Sequence, residues 1–102
     1  MIGLDTFPVP AEDVVGRIIQ NQPDDSLEAV LVLPSRGRIN VLNEIGAHIW
    51  SLVDGTRTVM EIAEVICLDY DVDLVTAQND TTEFLRELLE RGAIKLSKKP
   101  VG

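Results

Sequence analysis

The chain reads as an α+β domain, winged-helix-like, in which a three-stranded antiparallel meander is followed by three helices. Three observations lead there. β-Branched and apolar residues collect in three short runs before position 43, turn residues separate those runs, and from Glu44 to Arg91 the apolar spacing changes to the helical period. The order strand, strand, strand, helix, helix, helix holds no parallel βαβ crossover. The sequence has neither a Gly-x-Gly-x-x-Gly nor a phosphate loop, which excludes a doubly wound nucleotide-binding sheet.

Residues 1–13 carry Pro8 and Pro10 with little periodicity and are read as an extended lead-in, with the domain proper at 14–96 and a flexible tail at 97–102. Val14–Gln20 and Leu27–Leu33 are the first two strands, separated by the turn-rich Asn21–Ser26. Pro34-Ser35-Arg36-Gly37 turns the chain again into the third strand, Arg38–Leu42. Asn43 caps the first helix, in which Ile45, Ile49, Leu52 and Val53 form one stripe, flanked by Trp50, before Gly55 ends it. Thr58-Val59-Met60-Glu61 is a capping box that opens the second helix, with Val59, Ile62, Ala63 and Ile66 on its buried face. Asp73 caps the third, Leu74–Arg91, whose apolar side is Leu74, Ala77, Thr81, Phe84, Leu85 and Leu88, and Gly92 stops it. Ala93–Leu96 has the composition of a final short strand.

With 102 residues and 45% hydrophobic content the chain makes one domain with one core. A net charge of −8 and a pI near 4.4 oppose capture of nucleic acid or an anionic membrane, since a polyanion is held by releasing its counterions with Lys and Arg. A basic or neutral partner is favoured. The apolar runs are too short to span a bilayer and the N-terminus lacks the basic and apolar regions of a signal peptide, so a cytoplasmic location is expected.

Catalysis is not expected. Cys67 is the only cysteine and His48 the only histidine, so there is neither a thiolate cluster nor a nucleophile–base dyad, and each reads as a packing or boundary residue. Asp69, Asp71 and Asp73 match the opening of an EF-hand loop, but Leu74 stands where glycine is needed and Asp80 where glutamate is needed. No metal and no cofactor are expected.

The third strand of a meander is an edge, and an extended peptide can add itself to the unpaired backbone groups there. An edge shielded by the C-terminal segment or by a second copy is the competing reading. A winged-helix DNA-binding domain or a general protein–protein adaptor are the alternatives in function. The second helix, with Glu61, Glu64 and Asp69 and no Lys or Arg, argues against the first of these.

The run Leu42-Asn43-Glu44-Ile45-Gly46-Ala47-His48-Ile49-Trp50, followed by Asp54-Gly55-Thr56-Arg57-Thr58-Val59, Tyr70-Asp71-Val72-Asp73 and Phe84-Leu85-x-x-Leu88-x-x-x-Gly92-Ala93-Ile94, resembles the signature of the PqqD family over roughly Leu27 to Leu96. The resemblance implies a RiPP recognition element: a non-catalytic peptide chaperone that holds the leader of a ribosomally made precursor peptide. It presents that peptide to a modifying enzyme, a radical S-adenosylmethionine enzyme in the pattern of the family. Carried onto this sequence, one wall of the cleft is Arg38, Ile39, Asn40, Val41 and Leu42, and the other is Ala77, Thr81, Phe84, Leu85 and Leu88. Phe84, Leu85 and Leu88 read first as core, since a stripe at helical spacing is more often core than groove, with a groove role additional, and Asp80 and Glu83 lie near the proposed cleft on what is otherwise a solvated acidic face. The turn Pro34–Arg38 is longer than in members serving pyrroloquinoline quinone synthesis, and Trp50 replaces a smaller residue, so the pathway stays open, as does the choice of monomer or homodimer.

Overall fold

Why each helix starts where it does is written in its first turn. The computed structural model of the chain describes residues 2–19, 28–34 and 37–101. Its elements are β1 (Phe7–Pro10), β2 (Val15–Ile19), β3 (Glu28–Leu33), β4 (Arg38–Leu42), α1 (Glu44–Ser51), α2 (Val59–Asp69), α3 (Leu74–Glu90) and β5 (Ile94–Ser97). The turn read at Asn21–Ser26, with Gln20 and Leu27 beside it, and the Ser35–Arg36 part of the second turn lie outside the described residues.

Helix α1 opens on Asn43, whose Oδ1 accepts from the Gly46 N–H at 2.9 Å. Helix α2 opens on the complete capping box, Glu61 N–H donating to Thr58 Oγ1 and Thr58 N–H to Glu61 Oε1. Helix α3 opens on Asp73, which accepts from both the N–H and the hydroxyl of Thr76. It closes on a Schellman turn: Gly92, at a φ of 81°, donates to Leu89 C=O, and Ala93 N–H donates to Leu88 C=O.

Strands β2, β3 and β4 form the expected antiparallel meander, in the order β2-β3-β4. Ala29, Leu31, Leu33 and Leu42 turn one face inward, and the helices lay Ala47, Ile49, Val59, Ile62, Ala63, Ile66, Ala77 and Leu85 against it as one core. Burying a leucine there contributes about 2 kcal/mol. Trp50 lies half-buried over β2, so close to the backbone that a Cβ on Gly16 would fall 2.5 Å from its indole nitrogen. Ile45 and Leu74, counted on the buried stripes above, are instead 40% and 41% exposed.

Segments near both termini are part of the fold, where the sequence suggested a lead-in and a tail. β1 pairs antiparallel with β5, from Phe7 opposite Ser97 to Pro10 opposite Ile94. Proline marks an extended lead-in in the sequence, and it also suits an edge strand when its nitrogen faces away from the ladder. The Pro8 carbonyl accepts from Gly55 N–H, so that residue's backbone faces away from β5 and its missing donor costs no ladder bond. Leu4 and Thr6 offer their carbonyls to Met60 and Val59, two first-turn donors of α2 that have no intrahelical partner. Near the other end, Val101 N–H donates to the Gly55 carbonyl at 2.7 Å. Among the described residues no helix is long and apolar enough to cross a membrane.

Candidate functional site

Strand β4 pairs with β3 on one side only; on its other side no strand among the described residues meets it. Its backbone groups there are a template for one more strand. Alternation divides its side chains. Asn40 and Leu42 turn inward and are buried, while Ile39 and Val41 turn outward and are 70% and 71% exposed. Opposite them in register, Val32 and Val30 of β3 are half-buried on the same outer face, so β4 presents apolar surface on a face that a folded domain usually leaves polar.

Beside this edge runs a groove of about 280 Å³. Asn40, Val41 and Leu42 of β4 and the helix cap Asn43 make one wall, and Phe84, Glu87, Leu88 and Arg91 the other. Leu42, Phe84 and Leu88 give these walls apolar surface, and the asparagines, Glu87 and Arg91 give them polar groups. Arg91 donates through Nη1 to Asn40 Oδ1, tying the cap of α3 to β4 across the groove.

The structure brings together part of the expected set. Asn40, Val41 and Leu42 border the groove, and Phe84 and Leu88 face them. Arg38 and Ile39 lie on the same strand, exposed, outside the groove itself. Ala77, Thr81 and Leu85 have no exposed surface, serve the core and lie outside the groove lining. Asn43, Glu87 and Arg91 were missed. Their signal was present: 84, 87, 88 and 91 stand at i, i+3, i+4 and i+7, one complete helical stripe, whereas the apolar positions alone trace the neighbouring core stripe. Asp80 is exposed away from the groove, and Glu83 borders a separate surface hollow with Ile2, Leu4 and Arg86.

The remaining polar residues hold elements in place. His48 Nε2 lies 3.2 Å from Asp69 Oδ2, and its Nδ1 lies 3.3 Å from the Tyr70 hydroxyl, joining α1 to the end of α2. Burial, with Glu44 and Asp69 nearby, raises the Tyr70 pKa above its ordinary value. The Cys67 thiol donates to the Val72 carbonyl. Of the three aspartates at the α2–α3 junction, Asp69 meets His48, Asp73 caps α3, and Asp71 adopts a left-handed conformation at a φ of 52°. Among the described residues no group of His, Cys, Asp and Glu is placed to hold a metal ion.

Comparison with known proteins follows this geometry. Residues 28–94 match the family described as coenzyme PQQ synthesis protein D (PqqD). No curated protein matches the chain. Among solved structures, TbiB1 in complex with the TbiA(beta) leader peptide superposes with a TM-score of 0.74 at 30% identity, covering 85% of this chain and 94% of that one. The solution structure of the PqqD truncation of Methylobacterium extorquens PqqCD, described as a functional and stand-alone RiPP recognition element, superposes with a TM-score of 0.71. At 23% identity over 93% of this chain and 95% of that one, it speaks for the fold.

Proposed function

The chain belongs to the PqqD family, and we propose that it is a peptide chaperone that binds the leader of a ribosomally made precursor by strand addition to β4. The observation that carries this reading is the unpaired edge of β4 beside the groove walled by α3. Backbone pairing supplies affinity without regard to sequence, and side chains of the guest are read at alternate positions. Those on the inner face enter the groove toward Phe84 and Leu88; those on the outer face lie beside Ile39 and Val41. The same edge geometry explains why exposed β-branched residues are kept there, since a guest strand would cover them.

The protein contributes no chemistry in this account. A separate modifying enzyme, a radical S-adenosylmethionine enzyme in our reading, acts on the core peptide while the leader is held. The TbiB1 complex supports a leader peptide as the guest. The acidic character of the chain favours a neutral or basic leader. A nucleic-acid reading is disfavoured because α2, the second helix of the helix-turn-helix, exposes Glu61 and Glu64 and carries no Lys or Arg.

The test is calorimetric titration with the leader segment of the small peptide encoded beside this gene, and with the same residues scrambled. Saturable binding of the leader, with the scrambled peptide weaker by an order of magnitude or about 1.4 kcal/mol, is the expected result. Equal binding of both, or of neither, would remove the proposal.

A further inference from the structure

The helices pack on one face of the β2-β3-β4 meander, and the strand register lays out the other. Two cross-strand rows run over that outer face: Val15, Val32 and Ile39 in the first, Arg17, Val30 and Val41 in the second. Val15 is 48% exposed, Ile39 and Val41 more so, and Val30 and Val32 are half-buried. Five of these six side chains are thus β-branched and aliphatic, and the sixth, Arg17, is exposed. An antiparallel sheet with one solvated face usually carries polar residues there. A contiguous apolar patch with a polar border marks a surface that meets a partner.

Area and charge decide between occupants. Three well-exposed and two half-buried aliphatic side chains amount to roughly half of the ~800 Å² per partner that a stable protein pair buries, so the bare face is too small to hold a second copy by itself. A guest strand on β4 enlarges it, because the guest's outward side chains fall opposite Ile39 and Val41 and lengthen both rows. Arg17 is the one charged residue on the two rows. A second copy would bring a cation there and no carboxylate, whereas an apolar surface carrying one acidic residue would satisfy both features. Building on the peptide-binding reading, we infer that the outer face of the meander is the docking site of the modifying enzyme, and that the seated leader completes it. The enzyme meets this face with an apolar surface and an Asp or Glu opposite Arg17. The guest's alternate side chains then have different readers: the groove takes the inward set and the enzyme the outward set. Enzyme and leader strengthen each other's binding by the same factor, since coupling between two sites is reciprocal.

The experiment immobilises the modifying enzyme encoded beside this gene and measures its affinity for the wild type, Arg17→Glu and Val15→Lys, each with and without saturating leader. Both positions are exposed on β2, separated from the guest by β3 and β4, so both variants should bind leader in calorimetry as the wild type does. The enzyme should hold the loaded wild type about tenfold more tightly than the free form, and each substitution should weaken its hold on the loaded form about tenfold. Equal affinity for loaded and free protein, or variants held as well as the wild type, would overturn the inference while leaving leader binding intact. Loaded protein that sediments as a dimer, with the enzyme indifferent to Arg17→Glu, would give the face to a second copy and overturn it too. Absence of leader binding by the wild type in calorimetry would overturn the peptide-binding reading and this inference with it.

Discussion

Phe84 lies against Gly46 so closely that a Cβ built on Gly46 would fall 3.0 Å from Phe84 Cε1 and 3.2 Å from Cζ. One wall of the groove is thus placed by the absence of a side chain on α1. Glycine in a helix is otherwise unfavourable by roughly 0.5–1 kcal/mol relative to alanine, so its presence in the first turn has a steric reason.

Gly46→Ala should therefore separate stability from binding. The gain in helix propensity and the crowding of Phe84 oppose each other, and the unfolding free energy should change by less than about 1 kcal/mol. The displaced ring narrows the groove, and affinity for the leader should fall about tenfold. Chemical denaturation and calorimetric titration on the same preparation check both halves.

The outer face of β4 gives a second prediction. Ile39 and Val41 are largely exposed, so replacing both with lysine should leave stability nearly unchanged, about 0.5 kcal/mol at most for each. Each cross-strand apolar pair lost with a bound guest removes roughly 0.2–1 kcal/mol. Leader affinity should fall about fivefold, read as a faster dissociation rate in surface-immobilised binding.

The capping box of α2 supports the helix-turn-helix from below. Thr58→Ala removes the acceptor for Glu61 N–H and frees the Glu61 side chain. A loss of about 1 kcal/mol is expected, seen as a lower denaturant midpoint with an unchanged slope.

Acid should weaken the fold through two aspartates. Hydrogen bonds from Thr56, with Arg57 assisting, hold the Asp54 pKa below its ordinary 3.8, and hydrogen bonds from Thr76 do the same for Asp73. Between the folded and unfolded pKa values the unfolded chain binds more protons, so these groups stabilise fully above the unfolded value and lose that contribution as pH falls below about 4 toward the folded values. Asp73→Asn keeps a capping oxygen but removes the titration. Its stability should fall less steeply than the wild type's from pH 4 downward, measured by thermal unfolding across that range.

These devices differ in how far they can be read from sequence. Caps are local: Asn43, Thr58 with Glu61, Asp73 and Gly92 each meet a partner within a few residues, and each was legible. The pairing of β1 with β5 joins opposite ends of the chain, and nothing in Phe7–Pro10 names Ile94–Ser97 as its partner. Proline made that strand harder to see, since its usual meaning is a break. On α3 the apolar pattern led to the core stripe through Ala77, Thr81 and Leu85, while the groove stripe was hidden because half of it, Glu87 and Arg91, is charged. The third strand was legible as an edge because three consecutive short strands have only one simple order.

Strand addition to β4 is the central claim, and backbone amide hydrogen exchange tests it most directly. With saturating leader peptide, amides of Arg38–Leu42 that point away from β3 should slow by at least about tenfold, in an every-second-residue pattern that follows strand alternation. Exchange at β4 unchanged by a leader that demonstrably binds would contradict the account and place the guest elsewhere on the molecule.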